Sequence, residues 1–422
     1  MPVDAPSMRL RAAYHFPMST SGALRRRFTR STAALVVACV AGGLLGAGCS
    51  GSTSSPAPRT PTTGSASTAP TSGTTVSQGA GSSGQNAAGC KVGFALDNYG
   101  PERYPNWDGP PIEQLLGQEG VSYTMSDAKG NAETQESQVD AFVAAGTDVI
   151  ILKPFTSGSS EYNGNVPAAV KKATDAGVRV ISYDLFLESP DVLYIAFDWV
   201  EAGRMQARAI LAARPKGNYV IIDGDADSPE AQMMRRGIGE VLQPAIDSGA
   251  IKIVAESYTH WWDPTVAEAT MDAILQKNAN KIDAVVAEAD GLAAGAIKSL
   301  TGAGVAGKVA VSSVAGLGGF PDAVTFNAIA RGVQTVDVWQ DYRRLGKAAA
   351  EAAVQLCRDR DMAKVRGTAR FATPGGNQLT SILLTSQPIT KDNLSVILDT
   401  GWIKKDDICL DVDPATAPAA CR

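Results

Sequence analysis

Short apolar runs alternate with helix-like segments from Lys91 almost to the end of this 422-residue chain. The segments between the runs, such as 201–213 and 264–277, carry apolar residues three and four positions apart, as amphipathic helices do. Contiguous apolar strands separated by amphipathic helices are typical of parallel sheets covered by helices on both faces. The predicted strands are 91–96, 147–152, 177–183, 192–197, 218–223, 251–258, 282–287 and 308–313.

The length of this pattern predicts an α/β protein with two lobes. It continues for about 330 residues, which exceeds the size at which single hydrophobic cores stop growing. In open parallel sheets, ligands bind at the carboxyl ends of the strands. Two such lobes in tandem are therefore expected to form a ligand-binding cleft between them.

Residues 1–48 have the pattern of a bacterial export signal that ends at a lipidation site. Six arginines and one aspartate precede residue 31, and the chain from Ser31 to Cys49 is uncharged and rich in apolar and small residues. Gly46-Ala47-Gly48 before Cys49 resembles a lipobox, which predicts acylation at Cys49, with Cys39 as the alternative. The initiator is Met1, Met8 or Met18.

Residues 49–89 form a predicted tether of Ser, Thr, Gly, Pro and Ala with one charge, Arg59. Such a segment buries too little apolar surface to offset its ordering entropy, so it is expected to be flexible. The whole chain has a formal net charge of −5, and removing the arginine-rich leader makes the remainder more acidic. With no basic run, nucleic acid is not an expected partner.

Beyond the leader and Cys49, the cysteines predict disulfides rather than a metal or redox site. An exported chain with four remaining cysteines and no C-x-x-C pair is typical of disulfide pairing, and Cys409 and Cys421 are close enough to close a short C-terminal loop. His260 is the one histidine left, and no G-x-S-x-G motif occurs. We therefore predict no enzyme activity, no cofactor and no metal.

Several long segments resemble one known family. They are similar to the xylose-binding branch of the ribose-binding-like periplasmic solute-binding proteins of bacterial ABC importers, over roughly Lys91 to Lys405. The match is colinear over long stretches. The segments are "NAETQESQVDAFVAAGTDVIILKP" (131–154), "YIAFDWVEAGRMQARAIL" (194–211), "PKGNYVIIDGDADSPEAQMMRRGI" (215–238), "LQPAIDSGAIKIV" (242–254) and "NKIDAVVAEADGLAAGAIKSLTGAGVAGKVAVS" (280–312).

The resemblance implies the type I periplasmic-binding-protein fold, which has two Rossmann-like lobes joined by three hinge crossings. Its crossings would fall near 197–198, 338–339 and 383–385. It also implies that Cys90 and Cys357 lie at the same end of the first lobe, where a disulfide between them is plausible. The implied lobes are an N-terminal lobe of 90–197 plus about 340–384, a C-terminal lobe of 198–339 plus about 385–408, and a tail of 409–422.

The resemblance also implies a set of ligand-binding residues. Arg103 in "DNYGPERY", Asp184 in "YDL" and Asp290 in "EAD" align with ligand-contacting positions of the family. The segment "YTHWWDP" places Trp262 at the position whose ring stacks on the sugar. Neighbouring side chains of one strand or helix cannot both face the same core, which leaves one of Trp261 and Trp262 for such a role.

Other positions depart from the family pattern. Leu185, Ala289 and Gln340 stand where the family has arginine, asparagine and lysine. A buried sugar hydroxyl left without a partner costs about 1–3 kcal/mol, so xylose itself is not the expected ligand. Trp107, Trp199 and Trp339 lie near predicted cleft edges and could compensate, and the loop 225–232 offers Glu230 and Gln232. Gln340 is itself kept as a predicted ligand-binding residue.

The predicted function is that of a lipid-anchored, monomeric solute-binding protein of an ABC importer. Its expected partners are a sugar-like solute, such as a pentose or a polyol, and an ABC permease. It is expected on the outer face of the cell membrane. The alternatives are a ligand-sensing protein that reports to a membrane receptor, and a binder of a non-sugar ligand on the same scaffold.

Overall fold

A computed structural model describes residues 87–99, 103–155, 166–314 and 323–422. The predicted leader, Cys49 and residues 49–86 of the predicted tether lie outside these ranges. No helix within the described ranges is both long and apolar enough to cross a membrane.

The secondary structure alternates between strands and helices. The strands are β1 Lys91–Leu96, β2 Ser122–Asp127, β3 Val149–Leu152, β4 Arg179–Tyr183, β5 Val192–Phe197, β6 Gly217–Asp223, β7 Ile251–Tyr258, β8 Ala284–Ala287, β9 Ala310–Val314, β10 Val336–Trp339, β11 Ala369–Ala372, β12 Gln378–Leu384 and β13 Gln387–Ile389. The helices are α1 Gly109–Gln118, α2 Ala132–Ala144, α3 Val166–Asp175, α4 Trp199–Ala213, α5 Pro229–Asp247, α6 Pro264–Lys277, α7 Asp290–Gly302, α8 Ala323–Arg331, α9 Tyr342–Asp359, α10 Ser395–Asp399 and α11 Lys405–Ile408.

Within the described chain the strands form two sheets. The first has the order β11-β12-β5-β4-β3-β1-β2 and the second β13-β10-β9-β8-β6-β7. All pairs are parallel except β11 with β12 and β10 with β13. The chain passes to the second sheet after β5, returns to the first after β10 and leaves again after β12. The predicted fold class, two parallel α/β lobes joined by three crossings, is confirmed.

Helices on the second lobe pack closely because glycines stand at the contact. A side-chain carbon at Gly203 of α4 would lie 2.1 Å from the carbonyl oxygen of Met234, and one at Gly237 of α5 would lie 2.0 Å from that of Val200. Gly346 makes a similar contact in the first lobe, where α9 lies against the carbonyl oxygen of Asp108. This contact holds the first turn of α9 beside the carboxyl end of β1.

Capping side chains fix where the helices begin. The first backbone N–H groups of a helix have no partner within the helix, and a preceding Asp or Ser side chain can accept from them. Asp198 caps α4, Ser228 caps α5, Asp263 caps α6 and Asp341 caps α9. All four caps lie within five residues of the end of a strand, so they also fix the loops at the strand carboxyl ends.

The part of the chain that the structure describes contains two disulfides. Cys90 before β1 is bonded to Cys357 near the end of α9, with 5.9 Å between their Cα atoms. Cys409 is bonded to Cys421 and closes the C-terminal segment, with 5.5 Å between Cα atoms. These are the two pairings considered from the sequence.

Candidate ligand-binding site

The first part of the candidate site is an arginine held between two buried aspartates. Arg103 follows β1, and its Nε and Nη2 donate to the two carboxylate oxygens of Asp108, each at 2.9 Å. Its Nη1 donates to Oδ2 of Asp184 at 2.8 Å. The guanidinium carbon lies 3.5 Å from the ring centroid of Tyr342, which is a cation–π contact. Arg103 is therefore rigidly oriented.

The charges of this group stabilise one another despite their burial. Burial alone would lower the pKa of Arg103, but Asp108 and Asp184 raise it well above its usual value. Burial raises the pKa of Asp108, and the charge of Arg103 opposes that rise. Asp108 also accepts a hydrogen bond from the hydroxyl of Tyr183. Bidentate arginine–carboxylate pairs of this kind are among the stronger polar contacts in proteins.

Asp184 keeps one acceptor available. It follows β4 directly and adopts a left-handed backbone with φ of 68°, a region that aspartate tolerates better than most residues. Its N–H donates to the carbonyl of Ile195 at 2.8 Å, which fixes this turn. One carboxylate oxygen binds Arg103, while the buried Oδ1 has no hydrogen-bond partner among the described residues. Buried polar atoms are rarely left unpaired, so this oxygen is a candidate ligand contact.

Gln340 keeps one donor available at the end of β10. The residue is fully buried beside the first turn of α9, and its Oε1 accepts from the hydroxyl of Tyr342 at 3.4 Å. Its Nε2 has no hydrogen-bond partner in the part of the chain that the structure describes. Asp184 and Gln340 thus offer an acceptor and a donor on either side of Tyr342.

The second sheet contributes a pair of acids. Asp290 lies at the start of α7 and Asp337 in β10. Asp337 accepts from the hydroxyl of Ser313 at 2.8 Å. Burial and then the charge of Asp290 raise the pKa of Asp337 well above its usual value.

Tyr342 marks the place where the two lobes meet. Burial raises its pKa well above the usual value; Arg103 opposes the rise, while Asp184 and Asp290 add to it. A charged group shifts the pKa of another group appreciably only over short distances. Acids from both lobes therefore affect the pKa of Tyr342.

The two tryptophans of the "HWW" turn point to different environments. Trp261 and Trp262 both have left-handed backbones, with φ of 58° and 56°, which is unusual for bulky residues. Trp261 is exposed, and its N–H donates to Asp225 at 2.7 Å. The half-buried Trp262 packs against a cluster that joins the lobes and includes Phe186, Tyr194 and Val338.

Gly224 provides the space for the ring of Trp262. A side-chain carbon at position 224, directly after β6, would lie 1.9 Å from Cη2 of Trp262. Only glycine leaves room for the indole at this position. Backbone strain at a turn is often kept at functional sites, and here it sets the position of one aromatic ring.

Three residues that were predicted as ligand contacts, Trp199, Glu230 and Trp107, contact other residues of the protein. Trp199 lies in the core, and its indole N–H donates to the hydroxyl of Tyr194 at 3.1 Å, so it has no polar group for a ligand. Glu230 accepts from the backbone N–H of Phe186 at 2.7 Å and from Ser228 at 2.8 Å. It therefore links the lobes, because Phe186 follows β4 of the first lobe.

Trp107 belongs to an aromatic group behind the candidate site. Its ring lies 4.4 Å from that of Trp402, which in turn makes an edge-on contact with Trp339 at 5.4 Å. Trp107 thus packs against the second lobe, and its buried indole N–H has no hydrogen-bond partner among the described residues. Sequence reasoning missed Trp402, because it lies far along the chain in a segment without a strand or helix pattern.

The site also contains residues that the sequence did not single out. Asp108, Tyr342 and Asp337 each contact a predicted ligand residue or its partner. Asp108 and Tyr342 lie where helical structure begins, and Asp337 lies within a strand whose other residues are apolar. The one signal in the sequence that could have indicated the site was Asp337, a charged residue within an otherwise apolar strand.

The sequence matches the periplasmic binding protein domain over residues 92–361. It is 34% identical over 321 residues to the D-xylose-binding periplasmic protein of Escherichia coli (strain K12), covering 75% of this chain and 92% of that protein. This chain belongs to the periplasmic binding protein family. The D-xylose-binding periplasmic protein of Haemophilus influenzae is 30% identical to this periplasmic binding protein over 330 residues, covering 78% and 94% of the two chains.

A solved structure shares the fold of this periplasmic binding protein. The carbohydrate transporter solute-binding protein from Chloroflexus aurantiacus, in complex with D-glucose, superposes with a TM-score of 0.63 at 24% identity. The match covers 75% of this chain and 97% of that one. These relatives are binding proteins, and the chain is a xylose-binding-like periplasmic sugar-binding protein of the ABC-transporter type rather than an enzyme.

Proposed function

We propose that this protein captures a pentose-like or polyol solute between its two lobes and delivers it, as a monomer, to an ABC permease. A polyhydroxylated solute carries donors and acceptors around an apolar C–H face. Asp184 offers an unpaired acceptor, Gln340 an unpaired donor, and Trp262 an aromatic face. The unpaired Oδ1 of Asp184 beside the fixed Arg103 is the observation that carries the proposal.

The ligand is proposed to differ from xylose in its hydrogen bonding. Leu185 and Ala289 cannot form hydrogen bonds through their side chains, and they stand where the family pattern has arginine and asparagine. A site built to bind hydroxyls rejects analogues that leave its polar groups unpaired. A solute whose polar groups concentrate near Asp184, Gln340 and Asp290 fits these positions best.

Adjacent tryptophans allow a matched test of this proposal. We expect titration calorimetry with a panel of pentoses, hexoses and polyols to identify a bound solute. Trp262→Ala should weaken its binding about tenfold or more, because aromatic stacking and buried area are both lost. Trp261→Ala, which removes an exposed neighbouring ring, should change the affinity less than about threefold, since little buried area is lost. Absence of binding to every compound by a folded protein would contradict the proposed function.

Lipid anchoring at Cys49 is the second part of the proposal. It is supported by the uncharged segment that ends at Cys49 and by the Ser-rich and Gly-rich segment that follows it. Metabolic labelling with a fatty acid should mark the full chain expressed in a bacterial host, and Cys49→Ser should remove the label. Cys39→Ser serves as the control and should keep the label. The reverse pattern would move the acylated residue to Cys39.

A further inference from the structure

Glu288, directly after β8, connects the core of the second lobe to the loop against which the ring of Trp262 packs. The inference drawn from it rests on the proposed function, in which Trp262 presents an aromatic face to the solute. We propose that Glu288 is a positioning residue for solute binding: its carboxylate holds the backbone of Gly224, and Gly224 in turn sets the place of the Trp262 ring. Glu288 acts through this ring and does not touch the solute.

The side chain of Glu288 extends the hydrogen bonding between β6 and β8 beyond the strand ends. The two strands are parallel, with Ile222 paired with Ala287, and the N–H of Glu288 donates to the carbonyl oxygen of Ile222 at 3.1 Å. The next N–H on this side of β6 is that of Gly224, and Oε2 of Glu288 accepts from it at 2.8 Å. Glu288 and Gly224 are both buried, so solvent cannot readily replace this acceptor.

Backbone hydrogen bonds continue from this loop to Trp262. The N–H of Thr259 donates to the carbonyl oxygens of Asp223 at 3.1 Å and of Gly224 at 2.9 Å. The N–H of Trp262 then donates to the carbonyl oxygen of Thr259 at 3.1 Å. Of the bonds that lead from Glu288 to Trp262, only the first uses a side chain, so a substitution at Glu288 removes it and leaves the others in place.

The ring of Trp262 follows the position of Gly224 because the two are in direct contact. A side-chain carbon at Gly224 would lie 1.9, 2.1 and 2.2 Å from Cη2, Cζ3 and Cζ2 of the indole, so no gap separates the loop from the ring. Without Glu288 the buried N–H of Gly224 has no acceptor, and the loop is expected to move until it finds one. That movement displaces the ring, and the contact groups of a binding site must be held to within about 0.5 Å.

Two substitutions at Glu288 separate the hydrogen bond from the volume of the side chain. Glutamine keeps a carbonyl oxygen at the same place along the side chain, whereas methionine fills a similar volume with only a weak acceptor. The probes are D-xylose, D-ribose, D-glucose, xylitol and myo-inositol, and titration calorimetry identifies the one that binds most tightly. For that probe, Glu288→Met should weaken binding about tenfold and Glu288→Gln less than about threefold. Urea unfolding checks that both variants are folded.

A double-mutant cycle tests whether the effect passes through the ring. In a Trp262→Ala background there is no ring to position, so Glu288→Met should weaken binding by less than about twofold. In a Trp261→Ala background, which keeps the ring of Trp262, the loss should again be about tenfold. Equal losses in the two backgrounds, or no loss in the wild-type background, would overturn the inference and leave the proposed function intact. Equal losses from glutamine and methionine would also overturn it, because the acceptor for Gly224 would then not set the affinity.

The ring can also be observed without a solute. In protein labelled with 5-fluorotryptophan, the fluorine NMR resonance of Trp262 is the one that Trp262→Phe removes. Glu288→Met should shift or broaden this resonance, and Glu288→Gln should leave it unchanged. An unchanged resonance in Glu288→Met would show that Glu288 does not position the ring. If no probe binds to the folded wild-type protein, the proposed function fails, whereas the fluorine spectrum still decides whether Glu288 positions Trp262.

Discussion

The acids of the two lobes have different kinds of partner. In the first lobe, Asp108 and Asp184 face the guanidinium of Arg103, so acids are paired with a base. In the second lobe, Asp290 faces Asp337, so an acid is paired with an acid. Asp108, Asp184 and Asp337 are buried, and Asp290 is partly buried.

A second acid group in the same lobe strengthens the contrast. Asp223 at the end of β6 and Glu288 after β8 influence each other, and burial raises the pKa of Asp223 to about 7. Arg235 lies 3.8 Å from Asp223 but is engaged by Glu256 in two hydrogen bonds. The first lobe therefore holds its acids beside a base, whereas in the second lobe burial raises the pKa of Asp223, Glu288 and Asp337.

Removing the central cation should produce the largest effect. Arg103→Leu leaves Asp108 and Asp184 buried without their partner, and breaking a buried pair in this way costs about 3–5 kcal/mol. We expect urea unfolding to show this loss of unfolding free energy at pH 7. Arg208→Leu, which removes an exposed arginine that pairs with Glu201, should cost less than about 1 kcal/mol.

Comparing the losses of unfolding free energy in Arg103→Leu and Arg208→Leu tests whether the first-lobe network is stronger than a surface ion pair. Equal losses for Arg103→Leu and Arg208→Leu would mean that the first-lobe network contributes no more than a surface ion pair. The contrast between the two lobes would then have no energetic basis. A solute titration of Arg103→Leu is informative only if the variant is folded, so the unfolding measurement comes first.

The strands and helices could largely be predicted from the sequence because burial on both faces leaves a plain apolar run. β1, β5 and β7 have the predicted bounds, and α6 matches the predicted 264–277. β2 was missed, since this edge strand is half-exposed and mixes Ser, Thr and Asp with Tyr and Met. β11 and β12 were missed for a similar reason, because an exposed hairpin needs no continuous apolar run.

The site was only partly predictable, because its contacts join distant parts of the chain. Arg103 and Asp184 are 81 residues apart in sequence, and the resemblance alone suggested that both face one ligand. The role of Gln340 beside Tyr342 depends on how α9 packs against the first lobe. Trp199 and Glu230 were plausible by position, but hydrogen bonds that the sequence does not reveal already satisfy them.

The smaller effect concerns single acids at high pH, and replacing one acid should change the unfolding free energy in opposite directions in the two lobes. The native pKa of Asp223, about 7, lies above the usual unfolded value of about 3.9, so the native state holds a proton that the unfolded state loses between these values. Stability contributed by this group is therefore complete below about pH 4 and falls as the pH rises to about 7. Burial is the main cause of this rise, the charge of Glu256 adds to it and Arg235 opposes it, while Asp223 in turn raises the pKa of Glu288 and of Tyr258.

An aspartate-to-asparagine substitution in each lobe can test these two directions of change in unfolding free energy. Asp223→Asn should flatten the decline in unfolding free energy between pH 5 and pH 8 and raise stability at pH 8 by about 1 kcal/mol or more, because a charge no longer has to be buried. Asp108→Asn should instead lower stability at pH 8, since Arg103 loses a bidentate partner. Urea unfolding at both pH values measures the four free energies. A loss of stability at pH 8 in both variants would show that the protein stabilises the charged form of Asp223 as it does that of Asp108, and the contrast between the two lobes would disappear.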